Sequence, residues 1–176
     1  MNAREMDRQT LMAMPKERLV DLMFMHIRNM WAVDGLYFLG IEERFGTEGA
    51  TEIDRNVWEI MGKIEARRLR ETMGIKENDI SAMMRALSAS SWALDLEERK
   101  IEVGEERAVV KNTNCRVQKT RLDKGLEEFP CREVRWDYLK TFAREFNDNI
   151  VVECSICPPG DHEDDLWCEW IIKMTK

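Results

Sequence analysis

The residues best suited to chemistry are four cysteines in the last third of the chain. Cys154 and Cys157 form a CxxC pair, Cys168 follows eleven residues later, and Cys131 comes directly after Pro130. Thiolates favour zinc or iron–sulfur clusters over hard cations, and four thiolates around zinc make a closed tetrahedral structural site. These cysteines therefore predict a structural zinc centre, with zinc favoured over an iron–sulfur cluster as the cofactor.

Other interpretations of the cysteines remain open. Free cysteine is among the residues most often buried in a core, and a CxxC pair can serve thioredoxin-like redox chemistry. The redox motif belongs to a βαβ unit, whereas here Pro158 and Pro159 follow the pair directly. Cys115 is interpreted as a packed thiol. His162 could replace one cysteine as a ligand, although its acidic surroundings favour a solvated loop.

Polar residues inside apolar stretches are the candidates for binding a small molecule. His26, Met30 and Asp34 are spaced four residues apart and share a face if the helix is continuous, and Tyr37 follows within one turn of Asp34. Arg116, Gln118 and Thr120 alternate on a predicted strand, where an arginine could hold a carboxylate. An apolar pocket between helices and sheet would use these groups together with tryptophan walls. The candidate ligand-binding residues are His26, Trp31, Asp34, Tyr37, Arg116 and Gln118.

The alternative function is a small-molecule hydrolase in which His26 and Asp34 act as acid and base. A histidine on such a helix face is more often a satisfied core residue. Likewise, an adaptable core rich in methionine and tryptophan explains the apolar residues without a pocket. The sequence has no Gly-rich phosphate loop, no GxSxG motif and no pair of Glu-x-x-His motifs. It therefore identifies no catalytic residue and leaves open whether the protein is an enzyme.

The elements that must position these residues are predicted from apolar periodicity and turn residues. Residues 1–15 are interpreted as a polar lead-in. Helices are predicted from Pro15 to Phe45 with Gly46 as the C-cap, over 48–73 with Gly74 as the stop, from Asn78 or Asp79 to about Leu94, and over 132–146. Strands are predicted over 100–111, 114–122, 149–156 and 166–174, with a turn at residues 112–114.

This order of elements, ααα-ββ-α-ββ, predicts an α+β fold in which the N-terminal helices pack on an antiparallel sheet. A single domain is expected over 1–176, with a helical part over 1–98 and a sheet part over 99–176 that carries the four cysteines. The predicted hairpin brings Cys154, Cys157 and Cys168 together. The preceding helix of about 14 residues spans roughly 20 Å, so a strand that runs back along it returns near Cys131.

Composition excludes several classes of function. The chain has 176 residues, of which 44% are hydrophobic and 35% charged, with a formal charge of −7. An acidic chain without a basic run is a poor partner for nucleic acid. No apolar run approaches the ~20 residues of a membrane span, and the N-terminus lacks the apolar stretch of a signal peptide. The expected location is the cytoplasm, with neither nucleic acid nor membrane as a partner.

The order of elements and the spacing of the cysteines resemble the 4-vinyl reductase-like domain, a small-molecule sensor fold related to vesicle-tethering (TRAPP) subunits. Some members hold zinc with a Cys before the last helix, an acidic residue or Cys on the next strand, a Cys three residues later and a Cys on the final strand. Cys131, Cys154, Cys157 and Cys168 occur in that order, with a somewhat longer last gap. The resemblance implies a zinc-containing, sensor-like or carrier domain for an apolar or aromatic molecule.

The segments VDGLYFLGIEERFG, CRVQKTR and CSICPPGDHEDDLWCEW are similar to a family of prokaryotic cytosolic proteins of about this length, which carries no known activity. More distantly, the chain resembles the L-2-amino-thiazoline-4-carboxylic acid hydrolase family, which implies the hydrolase alternative. Relatives of the sensor fold form dimers, and the first two predicted helices have apolar sides long enough for a two-fold interface. A homodimer is therefore a further expectation.

Overall fold

The computed structural model describes residues 2–163 and 165–175, which form two compact units. The first unit ends at Tyr37 and the second begins at Phe38, so the boundary falls within a long helix. The single domain expected over the whole chain stays a prediction. Three residues of this range lie outside the described residues: Met1, Asp164 and Lys176.

The described residues contain six helices and four strands. The helices are α1 (Ala3–Met12), α2 (Lys16–Met73), α3 (Ile80–Ser88), α4 (Ser91–Asp95), α5 (Arg116–Asp123) and α6 (Cys131–Arg144). The strands are β1 (Glu98–Val103), β2 (Arg107–Asn114), β3 (Ile150–Ile156) and β4 (Cys168–Met174). The α+β fold class is confirmed. None of these helices is both long and apolar enough to cross a bilayer.

Helix α2 consists of two helical segments that meet at Gly46. Gly46 has φ 75° and ψ 169°, a conformation that glycine adopts readily because it has no Cβ. The second segment ends at Gly74, where φ is again positive at 65°. The first two predicted helices and their two glycine stops are thus confirmed. The segment predicted as a lead-in instead contains α1, whose first turn is capped by the Asn2 side chain accepting from the Glu5 N–H at 2.9 Å.

The third predicted helix is divided into α3 and α4. The Asp79 side chain accepts from the Ala82 N–H at 2.7 Å, which begins α3 as predicted. Ser90 then caps a new helix by accepting from the Ala93 N–H at 3.1 Å. A serine that caps a helix satisfies a backbone donor that has no partner within the helix. The second cap therefore explains why the periodic segment is not one continuous helix.

The prediction for residues 100–122 is wrong in two respects. The hairpin turn is misplaced, and most of the second predicted strand is a helix. The turn of the first hairpin lies at 104–106, where the Gly104 N–H donates to the Arg107 carbonyl at 2.8 Å. Residues predicted as the turn therefore extend β2. The predicted strand over 114–122 is mostly helix α5, because Gln118 and Arg121 are buried three residues apart on one helix face and Gly125, at φ 70°, closes its C-terminal end. Tertiary burial has overridden the strand preference of the β-branched residues here.

The sheet is antiparallel, with strand order β1-β2-β4-β3. The later hairpin, β3 and β4, and helix α6 lie where the sequence predicted them. On the central strand β4, Cys168, Trp170 and Ile172 are buried and share one face, since side chains alternate along a strand. Helix α6 packs along β3, and α3 contacts β1, β2 and β4.

A largely buried ion pair connects α5 to the first segment of α2 in the second unit. Arg121 donates through Nη1 and Nη2 to the two carboxylate oxygens of Glu42, at 2.9 and 2.8 Å. The guanidinium also lies 5.5 Å from the ring centroid of Phe38, which packs edge-on against Phe129. The hydrogen bonds from Arg121 hold the pKa of Glu42 below its usual value of 4.5, against the effect of burial.

The Glu42→Gln variant is expected to be about 3 kcal/mol less stable than the wild type at pH 7, because it leaves a buried cation without its carboxylate. A carboxylate with a lowered folded-state pKa contributes its stability above the unfolded pKa and loses it as the pH falls through the folded value. The stability gap should therefore shrink below pH ~4. Urea unfolding at pH 7 and pH 3.5 measures this, with the neighbouring exposed Glu43→Gln as the control. A gap independent of pH would contradict the assignment.

Candidate functional site

Two of the candidate metal ligands lie on the buried face of the sheet. Cys168 begins β4, and Trp170 two residues later is paired with Cys154 on β3. Residues directly opposite one another point to the same face, so Cys154 and Cys168 share a face. The register between β3 and β4 shifts after Cys154, and Cys157, which follows the end of β3, is fully buried. The closing hairpin thus carries three of the four cysteines, and their role as metal ligands stays a prediction.

The fourth cysteine is brought in by the first turn of α6. Cys131 is the first residue of α6, and the next backbone N–H, that of Arg132, donates to the carbonyl of Pro158 at 3.0 Å. The first N–H groups of a helix have no partner within it, so this bond satisfies one of them. It also fastens the start of α6 to the residue that follows Cys157.

Three of the thiols interact with one another. All five cysteines of the chain carry free thiols, and the Cys157 thiol interacts with those of Cys131 and Cys154. The hydrogen bond from Cys157, helped by the charge of Arg135 and opposed by burial, lowers the pKa of Cys131 to about 7. The same contact lowers the pKa of Cys154, whereas the pKa of Cys157 is raised by its two thiol contacts and by burial.

Cys168 and Cys115 complete the group of sulfurs. Burial raises the pKa of Cys168, as do the negative charges that Cys131 and Cys115 would carry. Burial likewise raises the pKa of Cys115 to about 11. Trp170 lies beside Cys168, and its indole N–H favours the thiolate form of that residue. This N–H is buried without a hydrogen-bond acceptor in the part of the chain that the structure describes.

Two arginines on α6 place positive charge at the thiols. Arg132 lowers the pKa of Cys154 and Arg135 that of Cys131, each through its charge and a hydrogen bond. Sequence reasoning missed both residues. The available signal was their spacing, since Arg135 follows Cys131 by four residues and a helix places such residues on one face.

Arg135 is held in place by aromatic rings. Its guanidinium lies 5.3 Å from the ring centroid of Trp58, 5.1 Å from that of Trp92 and 4.8 Å from that of Tyr138. The Tyr138 hydroxyl donates to Glu65 at 2.8 Å, which anchors this cluster to the second segment of α2. Cation–π contacts of this kind are strongest where the cation is desolvated. The cluster therefore fixes a positive charge beside the cysteines.

The arrangement has the chemistry of a thiolate metal site without the finished geometry of one. Across residues 2–163 and 165–175, no three His, Cys, Asp or Glu side chains are already arranged to hold a metal ion. Cys157 nevertheless interacts with Cys131 and Cys154, and cysteine side chains reorient by rotation about a single bond. Cysteine ligands lose their thiol protons when a metal binds, so binding would change both the charge and the arrangement of these side chains.

His162 is engaged elsewhere. Its Nε2 is 2.9 Å from a carboxylate oxygen of Glu128 and its Nδ1 is 3.0 Å from the carbonyl oxygen of Glu163. Its ring also packs on Trp167, with centroids 4.7 Å apart. A metal would have to displace one of these partners, which favours the four cysteines as the ligand set.

The first group of predicted ligand-binding residues lies in the first unit. Trp31 is buried, Asp34 is half-buried, and His26 and Tyr37 are exposed. His26 and Asp34 are eight residues apart in a continuous helix, which separates them by about 12 Å along its axis. Direct proton exchange between them is therefore out of reach, and the hydrolase alternative, like ligand binding by this group, stays a prediction.

Arg116 and Gln118 lie on α5 in the second unit, in contrast to the predicted strand. Arg116 forms an ion pair with Asp95 at 2.9 Å. The Gln118 amide donates to the Phe129 carbonyl at 2.9 Å and accepts from the Phe129 N–H at 2.7 Å. These contacts fasten the loop before α6 to α5. A role of the two residues in ligand binding stays a prediction.

The predicted aromatic pocket is also untested. Tyr138, which is fully buried, lies with its ring centroid 5.7 Å from that of Trp58, 6.4 Å from that of Trp92 and 5.8 Å from that of Phe142. Rings at these separations pack directly on one another. They therefore form part of the core of the second unit.

Comparison with known proteins places the chain in a family. It has no match among curated proteins. Among solved structures it is similar to a trafficking protein particle complex subunit 3 from Naegleria fowleri, covalently bound to palmitic acid in its crystal structure. The two share 8% sequence identity over 88% of this chain and 94% of that chain, with a TM-score of 0.49.

That subunit is of the vesicle-tethering class named by the sequence resemblance, but a likeness at this level says nothing about what this chain binds. The resemblances to the prokaryotic family and to the hydrolase family find no support in these comparisons. The model of a family of unknown function, DUF6125, matches residues 12–174. Because this match covers most of the sequence, the chain belongs to the family of unknown function DUF6125.

Proposed function

We propose that the protein is a zinc-binding domain in which Cys131, Cys154, Cys157 and Cys168 hold a structural zinc ion. The observation that carries the proposal is the placement of Cys154 and Cys168 on one face of the closing hairpin, next to the buried Cys157, whose thiol interacts with those of Cys131 and Cys154. Four thiolates leave zinc no open position for water or substrate, so the site is structural rather than catalytic.

The surroundings of the cysteines suit the negative charge of a zinc–thiolate site. Zinc with four thiolates carries a net charge of −2, and a buried charge of this size needs compensation. Arg132 and Arg135 supply two positive charges beside Cys154 and Cys131. The buried indole N–H of Trp170 would gain an acceptor in the thiolate of Cys168. Neutral thiols without a metal would need no compensating charge from the two arginines and would offer the indole N–H only a weak acceptor.

The role of the zinc ion would be to fasten α6 to the closing hairpin. Its ligands come from the first residue of α6, from β3, from the residue after β3 and from the start of β4. The loop between β3 and β4 is rich in Pro, Gly and Asp, so the metal would supply a constraint that the loop itself lacks. The helix and the two strands would then move as one rigid part of the domain.

The metal content of freshly purified protein tests this proposal. We expect about one zinc per chain by elemental analysis after anaerobic purification, and no visible colour. Replacement of zinc by cobalt should give the absorption spectrum of a tetrahedral thiolate complex. If the protein contains iron and is brown, the four cysteines hold an iron–sulfur cluster and the zinc assignment is wrong. If the protein contains no metal, the proposal of a zinc site is wrong, and redox chemistry of the CxxC pair becomes the favoured interpretation.

A further inference from the structure

His162 lies in the loop between β3 and β4 and joins that loop to the segment between α5 and α6. Its Nε2 atom is 2.9 Å from a carboxylate oxygen of Glu128, and its Nδ1 atom is 3.0 Å from the carbonyl oxygen of Glu163. The His162 side chain is 12% exposed and that of Glu128 is 27% exposed. The contact is therefore partly buried, and it connects residues that are 34 positions apart in the sequence.

Both nitrogens of the imidazole ring face oxygen atoms that accept hydrogen bonds, one from an ionised carboxylate and one from the backbone. A neutral imidazole has one donor and one acceptor nitrogen, whereas the protonated ring has two donors. A neutral His162 would set the lone pair of one nitrogen against an oxygen lone pair at a distance of 3.0 Å or less. The doubly protonated ring satisfies both contacts, and one of them becomes an ion pair with Glu128.

The charges around the ring also favour its protonated form. The same loop carries three exposed carboxylates, those of Asp161, Glu163 and Asp165. The ring of Trp167 packs on His162 with centroids 4.7 Å apart, and an aromatic ring attracts a cation beside it. One positive group opposes this effect, since Arg132 Nη2 lies 3.3 Å from the position that a Cβ on Gly160 would take. Together with Glu128, four described carboxylates thus surround His162 against one guanidinium.

We propose that His162 is an imidazolium at neutral pH and acts as a positioning residue for the cysteine site. Its ion pair with Glu128, called here the latch, joins the loop between Cys157 and Cys168 to the segment that leads into Cys131. Three of the four proposed ligands therefore flank the segments that the latch connects. When His162 loses its proton, the latch opens and release of the metal becomes faster. The effect on the metal rests on the zinc site proposed above, whereas the charge of His162 does not.

The latch and the thiolates respond to pH in opposite directions. Protons compete with a metal for thiolates, so a thiolate site ordinarily holds zinc more tightly as the pH rises. An ion pair that favours the protonated histidine stabilises the folded protein fully below the unfolded-state pKa of about 6.5. This contribution is lost as the pH rises through the folded-state pKa, which lies higher. The latch would therefore oppose the tightening of the thiolate site at alkaline pH.

Nitrogen NMR reads the protonation state of the ring directly, because the chain has two histidines and the other, His26, is exposed. A His26→Gln variant assigns the signals. An ordinary histidine is about nine-tenths neutral at pH 7.5, whereas we expect His162 to carry protons on both ring nitrogens at this pH. In Glu128→Gln the new amide can donate to a neutral ring, so His162 should carry one ring proton. A wild-type ring with one proton at pH 7.5, or the same state in both proteins, would overturn the proposal.

Transfer of zinc from the loaded protein to an excess of chelator tests the effect on the metal. At pH 6.5 we expect His162→Ala to release zinc ~10-fold faster than the wild type, because a charged hydrogen bond is lost. The ratio of the two rates should fall toward one as the pH rises to 9, since the wild-type latch then opens as well. Thiol protonation affects both proteins alike and cancels in the ratio. A ratio that stays constant with pH would reduce His162 to a packing role and contradict the latch.

The latch and the zinc site can fail separately. If the purified protein holds no metal, the zinc site fails, and urea unfolding of the metal-free chain replaces the measurement of zinc release. The wild type should then be more stable than His162→Ala at pH 6.5, with a difference that shrinks as the pH rises. Equal stability at pH 6.5 would overturn the latch even if the ring is doubly protonated. If His162→Ala does not fold, Glu128→Gln takes its place, and it should differ from the wild type at pH 6.5 but not at pH 9.

Discussion

Replacing Cys157 by serine is expected to remove the metal and to lower the melting temperature by roughly 10 °C. The ligand lies between Cys131 and Cys154, so its loss opens the centre of the site. A metal present at about 1,000 times its dissociation constant contributes about 4 kcal/mol to folding. For a chain of this length, each kcal/mol corresponds to about 2–4 °C. Calorimetry and elemental analysis on the same sample measure both effects.

The fifth cysteine supplies the control. Cys115 precedes α5, makes no side-chain capping bond and lies outside the proposed ligand set. The Cys115→Ser variant should keep its zinc and change in stability by less than about 1 kcal/mol, because serine is well accepted before a helix. A strong chelator should lower the melting temperature of the wild type and of this control, but not that of Cys157→Ser. A Cys157→Ser protein that kept one zinc and melted like the wild type would disprove the site.

Replacing Gly62 by alanine is expected to destabilise the protein by about 3 kcal/mol, near the upper end for overpacking. Gly62 lies in the second segment of α2 where α6 crosses it. A Cβ at this position would overlap the Tyr138 carbonyl oxygen and the Thr141 hydroxyl. The Thr141 hydroxyl also donates to the Glu59 carbonyl at 2.8 Å, so the two helices are joined at the same place. A backbone atom cannot move aside as the end of a side chain can, and the helices would have to separate.

The same substitution at an open helical glycine should have the opposite sign. Gly40 has no atom within 4 Å of the position of a Cβ. Alanine is about 0.5–1 kcal/mol more favourable than glycine in a helix interior, so Gly40→Ala should stabilise the protein by that amount. Urea unfolding of the two variants and the wild type gives the comparison. Equal effects at both positions would show that α2 and α6 do not approach closely at Gly62.

Local signals were sufficient for much of the fold. Gly46 and Gly74 mark helix ends because few other residues adopt positive φ without strain, and Asp79 is recognisable as a cap. The alternation of the final hairpin predicted its two strands. These signals depend on a few neighbouring residues, so the features they specify can be predicted from the sequence.

Features that depend on residues distant in the sequence could not be predicted. Helix α5 contains the β-branched Val117 and Thr120, and its helical state depends on the burial of Gln118 and on the pairing of Arg121 with Glu42, 79 residues earlier. The positions of Arg132 and Arg135 beside the thiols likewise depend on the tertiary placement of α6. Periodicity carries no information about a partner so far away in the sequence.

The position of β4 has a consequence for synthesis on the ribosome. β4 lies at the centre of the sheet, between β2 and β3, yet it is the last of the four strands in the sequence. Until residues 168–174 have emerged, β2 and β3 both expose unpaired backbone groups, which are sites for wrong pairing with other chains. A nascent chain emerges from N- to C-terminus at about 5–20 residues per second, so these edges stay open until translation of β4 is complete. Protection of these two edges during translation would therefore be needed until β4 has left the ribosome.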